Sequence, residues 1–339
     1  MIRRLLAAVV LIALALVLLV LAWPQLFSLE QSLYVTEAIA FRGALAAGAL
    51  IGVVLFLLIA LLSRAARQFA ASVAVLLLAF SAVTAGLLFD RGVGAVSFQT
   101  PAASDITVLS WNTLGDAPGA EKIAGLALDQ GADVLTMPET TEKLGDAVAA
   151  IMAKAGKPMA VLSVHFDLIS KARSTTMLVS AGLGDYAIDT KAGNTMQLPS
   201  VVAKPVSGAG PTLIAVHPVA PNTTALPTWR SDLRWLSTAC AGSNVIMAGD
   251  FNSTIDHVAH VPHATGATIG RCADAALATG NGAVGSWPTS IPALLGTPID
   301  HVMATSNWRV TGMRVIQSQD AAGSDHRPIV AQLSPAPKD

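Results

Sequence analysis

The sequence predicts a region of three membrane-spanning helices followed by one layered α/β domain, and three observations support this prediction. The 339 residues are 53% hydrophobic and only 13% charged, a composition too apolar for a purely soluble protein. The apolar excess is concentrated in the first 90 residues. Beyond them, helical patterns alternate with strand patterns and then give way to a series of short strands, which favours two packed sheets with helices outside.

Three apolar runs in the first 90 residues are each about long enough to cross ~30 Å of hydrocarbon as a helix. They cover residues 5–23, 43–62 and 69–89. A cleaved signal peptide is the alternative for the first run, but its apolar core is longer than the usual ~7–15 residues and no small-residue cleavage site precedes Pro24. A soluble helical bundle would need polar faces, which the runs lack. We therefore predict a transmembrane region over residues 1–90.

The short loops predict the orientation of these helices. Arg3 and Arg4 precede the first helix, and Arg64 and Arg67 lie between the second and the third. The loop between the first and second helices contains two glutamates and a single arginine, Arg42. Because basic residues stay in the cytoplasm, we predict a multi-pass cell-membrane protein whose following domain lies outside the cytoplasm.

Composition also sets the predicted domain limits. Residues 91–104 contain Gly, Ala, Ser and Pro and are predicted to be a linker, residues 105–334 the outer domain and residues 335–339 a tail. From residue 105 onward the chain has 15 Lys and Arg residues against 19 Asp and Glu residues, a formal charge of −4. This balance disfavours tight nonspecific binding to polyanions. Cys240 and Cys272 are the only cysteines, and either a disulfide or two buried free thiols is consistent with an exported domain.

Apolar spacing places the elements of the outer domain. Ile123, Leu126 and Ala127 recur on successive helical turns, and Gly131 follows as a C-cap. Helices are predicted at residues 119–130, 141–155 and 226–241. Strands are predicted at residues 106–111, 133–137, 160–165, 176–180, 185–189, 200–204, 212–217, 245–248, 299–304, 308–316 and 328–333.

The stretch VIMAGDFN, residues 245–252, is the most informative in the chain. Its first four residues are apolar and predict a buried strand, which Gly249 is expected to end with a sharp turn. Asp250 and Asn252 follow two positions apart, so on an extended chain they face the same way. Their oxygen atoms suit a hard cation and its bound waters. An Asp/Asn turn without chemistry is the alternative.

Other polar residues also recur at the ends of predicted strands. They are Asn112, Glu139, His217, Asp300, His301, Asp325 and His326. A fold that gathers these strand ends at one rim would form a hard-metal site with imidazoles nearby.

These motifs, in this order, resemble the endonuclease/exonuclease/phosphatase family, which has the fold of DNase I. The resemblance covers residues 105–333 and rests on WN, the strand-ending Glu, the His before Pro, GDFN, IDH and SDHRP. SWPT at residues 286–289 also looks like membrane-anchored bacterial members. The resemblance implies a four-layer α/β/β/α sandwich of DNase I type and Mg²⁺- or Mn²⁺-dependent hydrolysis of a phosphoester.

The resemblance also implies a role for each matching residue. The metal ligands would be Glu139, Asn112 and Asp325. Asp250 would orient and deprotonate the attacking water, and Asn252 would donate its amide N–H to a phosphoryl oxygen. The phosphate would be contacted by His217 and by His326, the latter held by Asp300.

Some positions have no counterpart in the motifs. Pro138 stands where many members have Gln, and Tyr186 and Arg173 are the candidates for the Tyr or Arg that many members use to hold the phosphate. His301 is expected to be structural, because the adjacent Asp300 points the other way on a strand. Trp287 belongs either to the core or to a wall of the substrate groove. No motif matches His165, His257, His260 or His263. The last three resemble a metal cluster, but they lie in a predicted loop, and a solvated surface is favoured for them.

The predicted function is hydrolysis of a small or lipid-linked phosphodiester or phosphomonoester at the outer membrane face. The linker of about fifteen residues reaches no more than ~50 Å, which keeps the domain near the bilayer. Duplex DNA is disfavoured as a partner, because no basic surface is evident. An extracytoplasmic metal-dependent nuclease is the first alternative, and a catalytically inactive membrane-tethered binding module is the second. No particular oligomeric state is predicted.

The predicted orientation is testable with a fusion. A reporter that is active only outside the cytoplasm, placed after Asp339, should be active, because the arginines hold the other ends of the helices inside. The same reporter placed after Arg64 is the control and should be silent. Activity from a cytoplasm-specific reporter at Asp339 would overturn the predicted topology.

Overall fold

The structure is a computed structural model that describes residues 1–94, 97–264 and 268–337. Its N-terminal region contains the helices α1 (Ile2–Ala22), α2 (Leu33–Ala40), α3 (Arg42–Leu62) and α4 (Arg67–Arg91). The first, third and fourth are long and apolar enough to cross a membrane. Helix α1 has no buried residue, and α1, α3 and α4 all leave large apolar side chains exposed, as lipid-facing helices would. The three predicted helices are confirmed, whereas the short α2 was not predicted.

The outer domain contains every predicted helix and strand, with ends that differ by no more than two residues. Its helices are α5 (Ala120–Gln130), α6 (Glu142–Lys154), α7 (Leu226–Ala239) and α8 (Ala275–Ala278). Its strands are β1 (Ile106–Ser110), β2 (Val134–Pro138), β3 (Met159–His165), β4 (Ser174–Ser180), β5 (Tyr186–Ile188), β6 (Val201–Pro205), β7 (Thr212–Val216), β8 (Val245–Asp250), β9 (Thr268–Ile269), β10 (Cys272–Asp274), β11 (Asp300–Ala304), β12 (Trp308–Val315) and β13 (Ile329–Pro335). Strands β9 and β10 and helix α8 were not predicted.

These elements form four layers. The first sheet has the strand order β12-β13-β1-β2-β4-β3, and the second has the order β5-β6-β7-β8-β11-β10-β9. Apolar residues of both sheets pack face to face, with α5 and α6 outside the first sheet and α7 outside the second. The predicted α/β/β/α sandwich is therefore confirmed.

Helical spacing and one glycine explain how the outer layers pack. On α7, Trp229, Leu233 and Leu236 lie on one face and are fully buried against the second sheet. On α6, Gly145 approaches β4 so closely that an added Cβ would lie 2.6 Å from Cγ2 of Thr176. Only glycine permits this distance, so the first outer layer depends on that position.

Cys240 and Cys272 form a disulfide that joins the end of α7 to β10, which settles the two alternatives for these residues. The bridge closes a loop across a sequence separation of 32 residues. In the chain-entropy model a loop of this size stabilises the folded state by roughly 3–4 kcal/mol. The disulfide therefore fastens the short edge strands β9 and β10 to the outer helical layer.

A buried ion cluster attaches the N-terminal helices to the outer domain. Arg42, at the start of α3, and Arg91, at the end of α4, both bind the carboxylate of Asp256 through contacts of 2.7–2.9 Å. The Arg42 and Asp256 side chains are no more than 4% exposed. Nη1 of Arg42 also donates to the carbonyl of Leu21 at the end of α1. Asp256 thus ties the start of α3 to the end of α4, and Arg42 links both to the end of α1.

The segment around Asp256 corrects one prediction about the histidines. His257 is not solvated: it is buried, lies edge-on to Trp229 and contacts the carbonyl of Thr36 in α2 through Nε2 at 3.1 Å. His260 pairs with Glu30 of the same N-terminal region. The prediction failed because it did not foresee that the loop between the first two membrane helices folds onto this segment.

The segment predicted as a linker is hydrogen-bonded to the domain at both ends. The carbonyl of Gly92 accepts from the amide of Ala283, and the amide of Gln99 donates to the carbonyl of Thr311. These hydrogen bonds and the Asp256 contacts dock the helical region directly on the domain. Linker residues 95–96 and tail residues 338–339 lie outside the described residues.

The ion cluster generates a prediction about docking. Replacing Asp256 with Ala leaves the buried guanidinium of Arg42 and the partly buried one of Arg91 without their carboxylate, a change that costs roughly 3–5 kcal/mol. Amide hydrogen exchange of α2 in the full-length protein should accelerate accordingly. Asp189→Ala is the control, because its pair with Lys204 is exposed to solvent. Unchanged exchange in Asp256→Ala would contradict the docking role of this cluster.

The pH dependence of this docking follows from the same contacts. Burial alone would raise the pKa of Asp256, but Arg91 and Arg42 outweigh it and hold the pKa well below its usual range. A carboxyl group whose pKa is lowered by folding stabilises the folded state at every pH above its unfolded-state pKa of ~4. This stabilisation is lost only as the pH falls from there toward the folded-state pKa. The α2 amides should therefore stay protected from neutral pH down to about pH 4.

Candidate active site

Both sheets bring polar residues to the same edge of the sandwich. Strands β1 and β2 are parallel neighbours, so the residues that follow them, Asn112 and Glu139, emerge side by side. Strands β7 and β8 are parallel neighbours in the other sheet; His217 follows β7, and Asp250 is the last residue of β8. The fold therefore gathers the predicted residues at one rim.

The register of β8 and β11 places two carboxylates opposite each other. Strand β8 does not end at Ala248, as predicted, but continues to Asp250, which pairs directly with Asp300. Gly249 stays within the strand with φ +153°, and an added Cβ there would lie 2.1 Å from the carbonyl oxygen of Val216. Gly249 is thus required for close approach of β7 and β8 rather than for a turn.

His326 lies between these two carboxylates. Its Nδ1 is 2.8 Å from Oδ2 of Asp300, and its Nε2 is 3.8 Å from Oδ2 of Asp250. All three side chains are buried. The carbonyl oxygen of His326 accepts a hydrogen bond from Nε1 of the buried Trp111, which fixes the loop that carries the imidazole. The predicted pairing of Asp300 with His326 is present.

The side chain of Asn112 joins the two sheets at the site. Its Nδ2 donates to Oε1 of Glu139 and to Oδ2 of Asp250, each at 3.1 Å. Its Oδ1 accepts from the amide of Leu114 at 3.0 Å. Asn112 therefore orients both the carboxylate predicted to bind metal and the one predicted to act on water.

Asn252 holds Asp250 from the other side. Its backbone amide donates to Oδ1 of Asp250 at 2.8 Å, and its Nδ2 donates to Oδ2 of Asp250 and to the carbonyl of Pro218. Both hydrogens of the amide group are thereby used within the protein. Asn252 and Glu139 have positive φ values of 44° and 56°. Such values are uncommon for residues other than glycine and are typical of functional sites.

His217 and Asp325 complete the group. Nε2 of His217 lies 4.0 Å from Oε1 of Glu139 and, among the described residues, has no hydrogen-bond partner. Oδ2 of Asp325 accepts from Nε1 of Trp287 at 2.8 Å, whereas its Oδ1 has no hydrogen-bond partner in the described part of the chain and lies 4.0 Å from Nε2 of His326. Buried polar atoms usually have a hydrogen-bond partner. Because these two atoms have none among the described residues, both are available to bind a ligand.

Burial and neighbouring charges shift the pKa values of the site. Burial raises the pKa of Asp250 to about 7 and also raises that of Glu139. Burial lowers the pKa of His217 to about 3, so this ring is neutral. Burial also opposes the charged form of His326, but Asp300 and Asp250 outweigh it and raise its pKa to about 10. The site therefore holds one imidazolium, one neutral imidazole and a carboxyl that titrates near neutrality.

A cavity of about 310 Å³ opens onto this cluster. Its lining includes Glu139, His217, Asp250, Asn252 and His326. The opposite wall was not predicted, and it comes from α2 and the residue after it: Thr36, Glu37, Ala40 and Phe41. The signal that could have revealed this wall was the helical spacing of residues in the loop between the first two membrane helices.

The structure also places the residues whose roles were open. Trp287 lines the cavity and is therefore a wall of the groove rather than core. Tyr186 lies on strand β5 at the edge of the second sheet, and Arg173 forms an ion pair with Asp167; neither lines the cavity. His301 points away from the cluster and binds Asp274, which agrees with the structural role expected for it.

Two sets of side chains could hold a divalent cation. One consists of three buried residues whose ligand atoms lie within 4.8 Å of one another: Asp250, Asp300 and His326. In that set, however, the imidazole and one carboxylate already satisfy each other through their 2.8 Å contact. The other is the predicted set, whose oxygen donors suit Mg²⁺ or Mn²⁺: Glu139, Asn112 and Asp325. Oδ1 of Asp325 has no hydrogen-bond partner among the described residues, whereas Oδ1 of Asn112 already accepts from the amide of Leu114, so the carboxylates of Glu139 and Asp325 are the better-suited ligands of this set.

Comparison with known proteins agrees with this geometry. Residues 109–326 match the model of the Endonuclease/Exonuclease/phosphatase family. The chain belongs to this family. Members hydrolyse phosphoesters and are typically dependent on a divalent metal. The comparison with curated protein sequences gives no match.

Solved structures share the fold of the outer domain. An endonuclease/exonuclease/phosphatase from Beutenbergia cavernae DSM 12333 is 19% identical, with a TM-score of 0.52, over 69% of this chain and 72% of that chain. D. rerio TDP2 complexed with single strand DNA product is also 19% identical, with a TM-score of 0.52, over 68% of this chain and 99% of that chain. At these identities the likeness establishes the fold and leaves substrate choice to the site.

The electrostatics of the site predict the charge state of His326. In metal-free protein, the ring should remain protonated at pH 8, and Asp300→Asn should lower its pKa by removing the nearest negative charge. Folding raises the pKa of His326 from its unfolded-state value of about 6.5 to about 10. The ring therefore contributes its full stabilisation below about pH 6.5, and this stabilisation is lost as the pH rises through about 10. Imidazole ¹⁵N shifts of the protein in EDTA report the charge.

His217 is the internal control for this measurement, because its ring should be neutral over the same pH range. A His326→Gln variant assigns the signals. A neutral His326 ring at pH 8 in the wild-type protein would refute the charge distribution described for the cluster.

Proposed function

We propose that this protein is a membrane-anchored, extracytoplasmic, metal-dependent hydrolase of a small or lipid-linked phosphodiester or phosphomonoester. The observation that carries the proposal is the buried cluster in which His326 lies between Asp300 and Asp250, with Glu139 beside it. A scaffold without catalytic function has no need for two facing carboxylates whose burial must be compensated by an imidazolium.

In this proposal Asp250 acts on water. Its carboxylate accepts hydrogen bonds from Asn112 and Asn252, which fix its direction toward the cavity. Because burial raises its pKa to about 7, it can take a proton from water near neutral pH. Asn252, whose amide hydrogens are engaged by the protein, has a positioning role instead of the phosphoryl contact that the resemblance implied.

The two histidines act on the phosphate. The imidazolium of His326 supplies a fixed positive charge for the negative charge that develops on the phosphoryl oxygens. Asp300 holds its orientation through the 2.8 Å contact with Nδ1, leaving Nε2 toward Asp250 and the cavity. His217 is neutral, and its unpartnered Nε2 offers a second contact to a phosphoryl oxygen.

Glu139, Asn112 and Asp325 are the residues that would hold the cation. Mg²⁺ or Mn²⁺, when bound, would neutralise charge on the phosphoryl and leaving oxygens. Asn112 orients the Glu139 carboxylate, and Trp287 orients that of Asp325, so both carboxylates are held in place by the protein.

The extracytoplasmic orientation is supported by two features. The outer domain follows α4, on the side of the membrane opposite the arginines at the N-terminus and between α3 and α4. The bridge between Cys240 and Cys272 is typical of oxidising compartments.

A small or lipid-linked substrate is favoured over duplex DNA by the surroundings of the cavity. The N-terminal helices dock on the domain and α2 walls the cavity, which restricts the approach of a long duplex. The nuclease alternative is supported by the structural likeness to TDP2 in complex with single strand DNA product.

The proposal predicts metal-dependent turnover. Full-length protein in detergent should hydrolyse a member of a panel of phosphodiesters and phosphomonoesters with Mg²⁺ and lose this activity in excess EDTA. Asp250→Ala and His326→Ala should each lower kcat by at least about 10²-fold, because they remove the general base and the main protein charge on the phosphate. Asp189→Ala, whose ion-pair partner Lys204 is exposed, and His165→Ala, at an exposed position, are the matched controls, because neither residue lines the cavity.

Activity that persists in EDTA or in either variant would reject the mechanism. Plasmid DNA is assayed as a further substrate at ~150 mM salt. At this salt concentration, contacts between a basic surface and the phosphates still dominate duplex binding. Cleavage of DNA faster by orders of magnitude would establish the nuclease alternative. Binding of phosphoesters without turnover would instead establish the inactive binding module.

A further inference from the structure

The wall that α2 contributes to the cavity is part of the N-terminal region, not of the family domain. Thr36, Glu37, Ala40 and Phe41 follow helical spacing and face the same cavity that contains Asp250 and His326. The family match begins only at residue 109. The active site of this chain is therefore closed by a segment that lies between its first two membrane helices.

Two aromatic rings connect this wall to the catalytic cluster. The ring centroids of Phe41 and Trp287 are 5.8 Å apart, and those of Trp287 and His326 are 6.5 Å apart. Nε1 of Trp287 is fixed by Oδ2 of Asp325 at 2.8 Å. Phe41 and Trp287 are each only partly buried, so both leave apolar surface facing the cavity.

The cavity has one polar end, which is the cluster around Asp250, and one largely apolar side, on which Thr36 and Glu37 of α2 are polar. The apolar side contains eight residues: Ala40, Phe41, Leu198, Val219, Ala220, Pro221, Trp287 and Ile299. A ligand that fills both parts must combine a phosphoryl group with an apolar group within one molecule.

The position of Phe41 relates this apolar side to the membrane. Phe41 directly precedes α3, and its neighbour Arg42 is fixed between the end of α1 and Asp256. The apolar side of the cavity therefore lies at the level where two membrane helices end. A ligand with an acyl or alkyl chain can reach this level without leaving the bilayer surface.

We propose that Phe41 and Trp287 bind the apolar chain of a lipid-linked phosphoester whose phosphoryl group lies at the Asp250–His326 cluster. This proposal rests on the proposed hydrolase function and deepens it, since it names the amphiphilic class of substrate and the residues that select it. Phe41 is a specificity-determining residue supplied by the membrane region. Trp287 also positions Asp325 through its indole N–H.

A matched pair of substrates tests this proposal. Methyl 4-nitrophenyl phosphate and octyl 4-nitrophenyl phosphate share the scissile bond, the leaving group and the charge, and differ only in the alkyl chain. The readout is the ratio of kcat/KM for the octyl ester to that for the methyl ester, measured with full-length protein in one detergent. The wild-type ratio should be at least about tenfold, because the added methylenes are buried on the aromatic wall.

Phe41→Ala should reduce this ratio at least about fivefold, whereas Phe41→Leu, which restores apolar area, should recover most of it. Tyr34→Ala is the control, because Tyr34 is an aromatic residue of α2, the helix that Phe41 follows, is 84% exposed and does not line the cavity. It should keep the wild-type ratio. Partition of the octyl ester into micelles affects all variants equally and cancels in the comparison.

The outcomes separate the two proposals. Turnover of both esters with a ratio near one, or an unchanged ratio in Phe41→Ala, would overturn the lipid-chain site and leave the hydrolase function intact. Absence of metal-dependent turnover of either ester, or of any phosphoester in the panel, would reject the hydrolase function and the chain site with it. A Phe41→Ala variant that loses methyl-ester turnover as strongly as octyl-ester turnover would also overturn the chain site.

Discussion

The alignment of Asp250 with Asp300 across β8 and β11 is the constraint on which the rest of the site depends. Two buried carboxylates facing each other are costly unless a positive charge lies between them, and His326 supplies that charge. The close approach of β7 and β8 at Gly249 brings the neutral His217 to the same rim. The sandwich therefore has one highly charged edge, while the rest of its core is apolar.

A second buried charge cluster joins this edge to the membrane region. Asp256 follows Asp250 by six residues and binds both Arg42 and Arg91, so the catalytic strand end and the helix ends share one short segment. The interface positions α2 against the cavity, and Phe41 against Trp287. The N-terminal helices therefore act as part of the active-site wall as well as a membrane anchor in the proposed function.

The comparison with solved structures explains where specificity resides. The shared fold, at about one-fifth sequence identity, covers roughly two-thirds of the chain, and the family match covers residues 109–326. The polar rim lies within the family match, because its residues run from Asn112 to His326. The wall opposite that rim belongs to the part outside it. Substrate choice in such folds lies in added segments of this kind.

The sequence by itself determined the three long N-terminal helices, most helices and strands of the outer domain, and the polar residues of the rim; the short elements α2, α8, β9 and β10 escaped it. Local apolar periodicity specifies each element, and motifs at strand ends converge wherever parallel strands are neighbours. Only the tertiary structure decided what lies opposite the rim. The contacts of Asp256 with Arg42 and of Phe41 with Trp287 join residues more than two hundred positions apart, and no local pattern encodes them. His257 was mistaken for a surface residue for the same reason, because its burial depends on packing against α2.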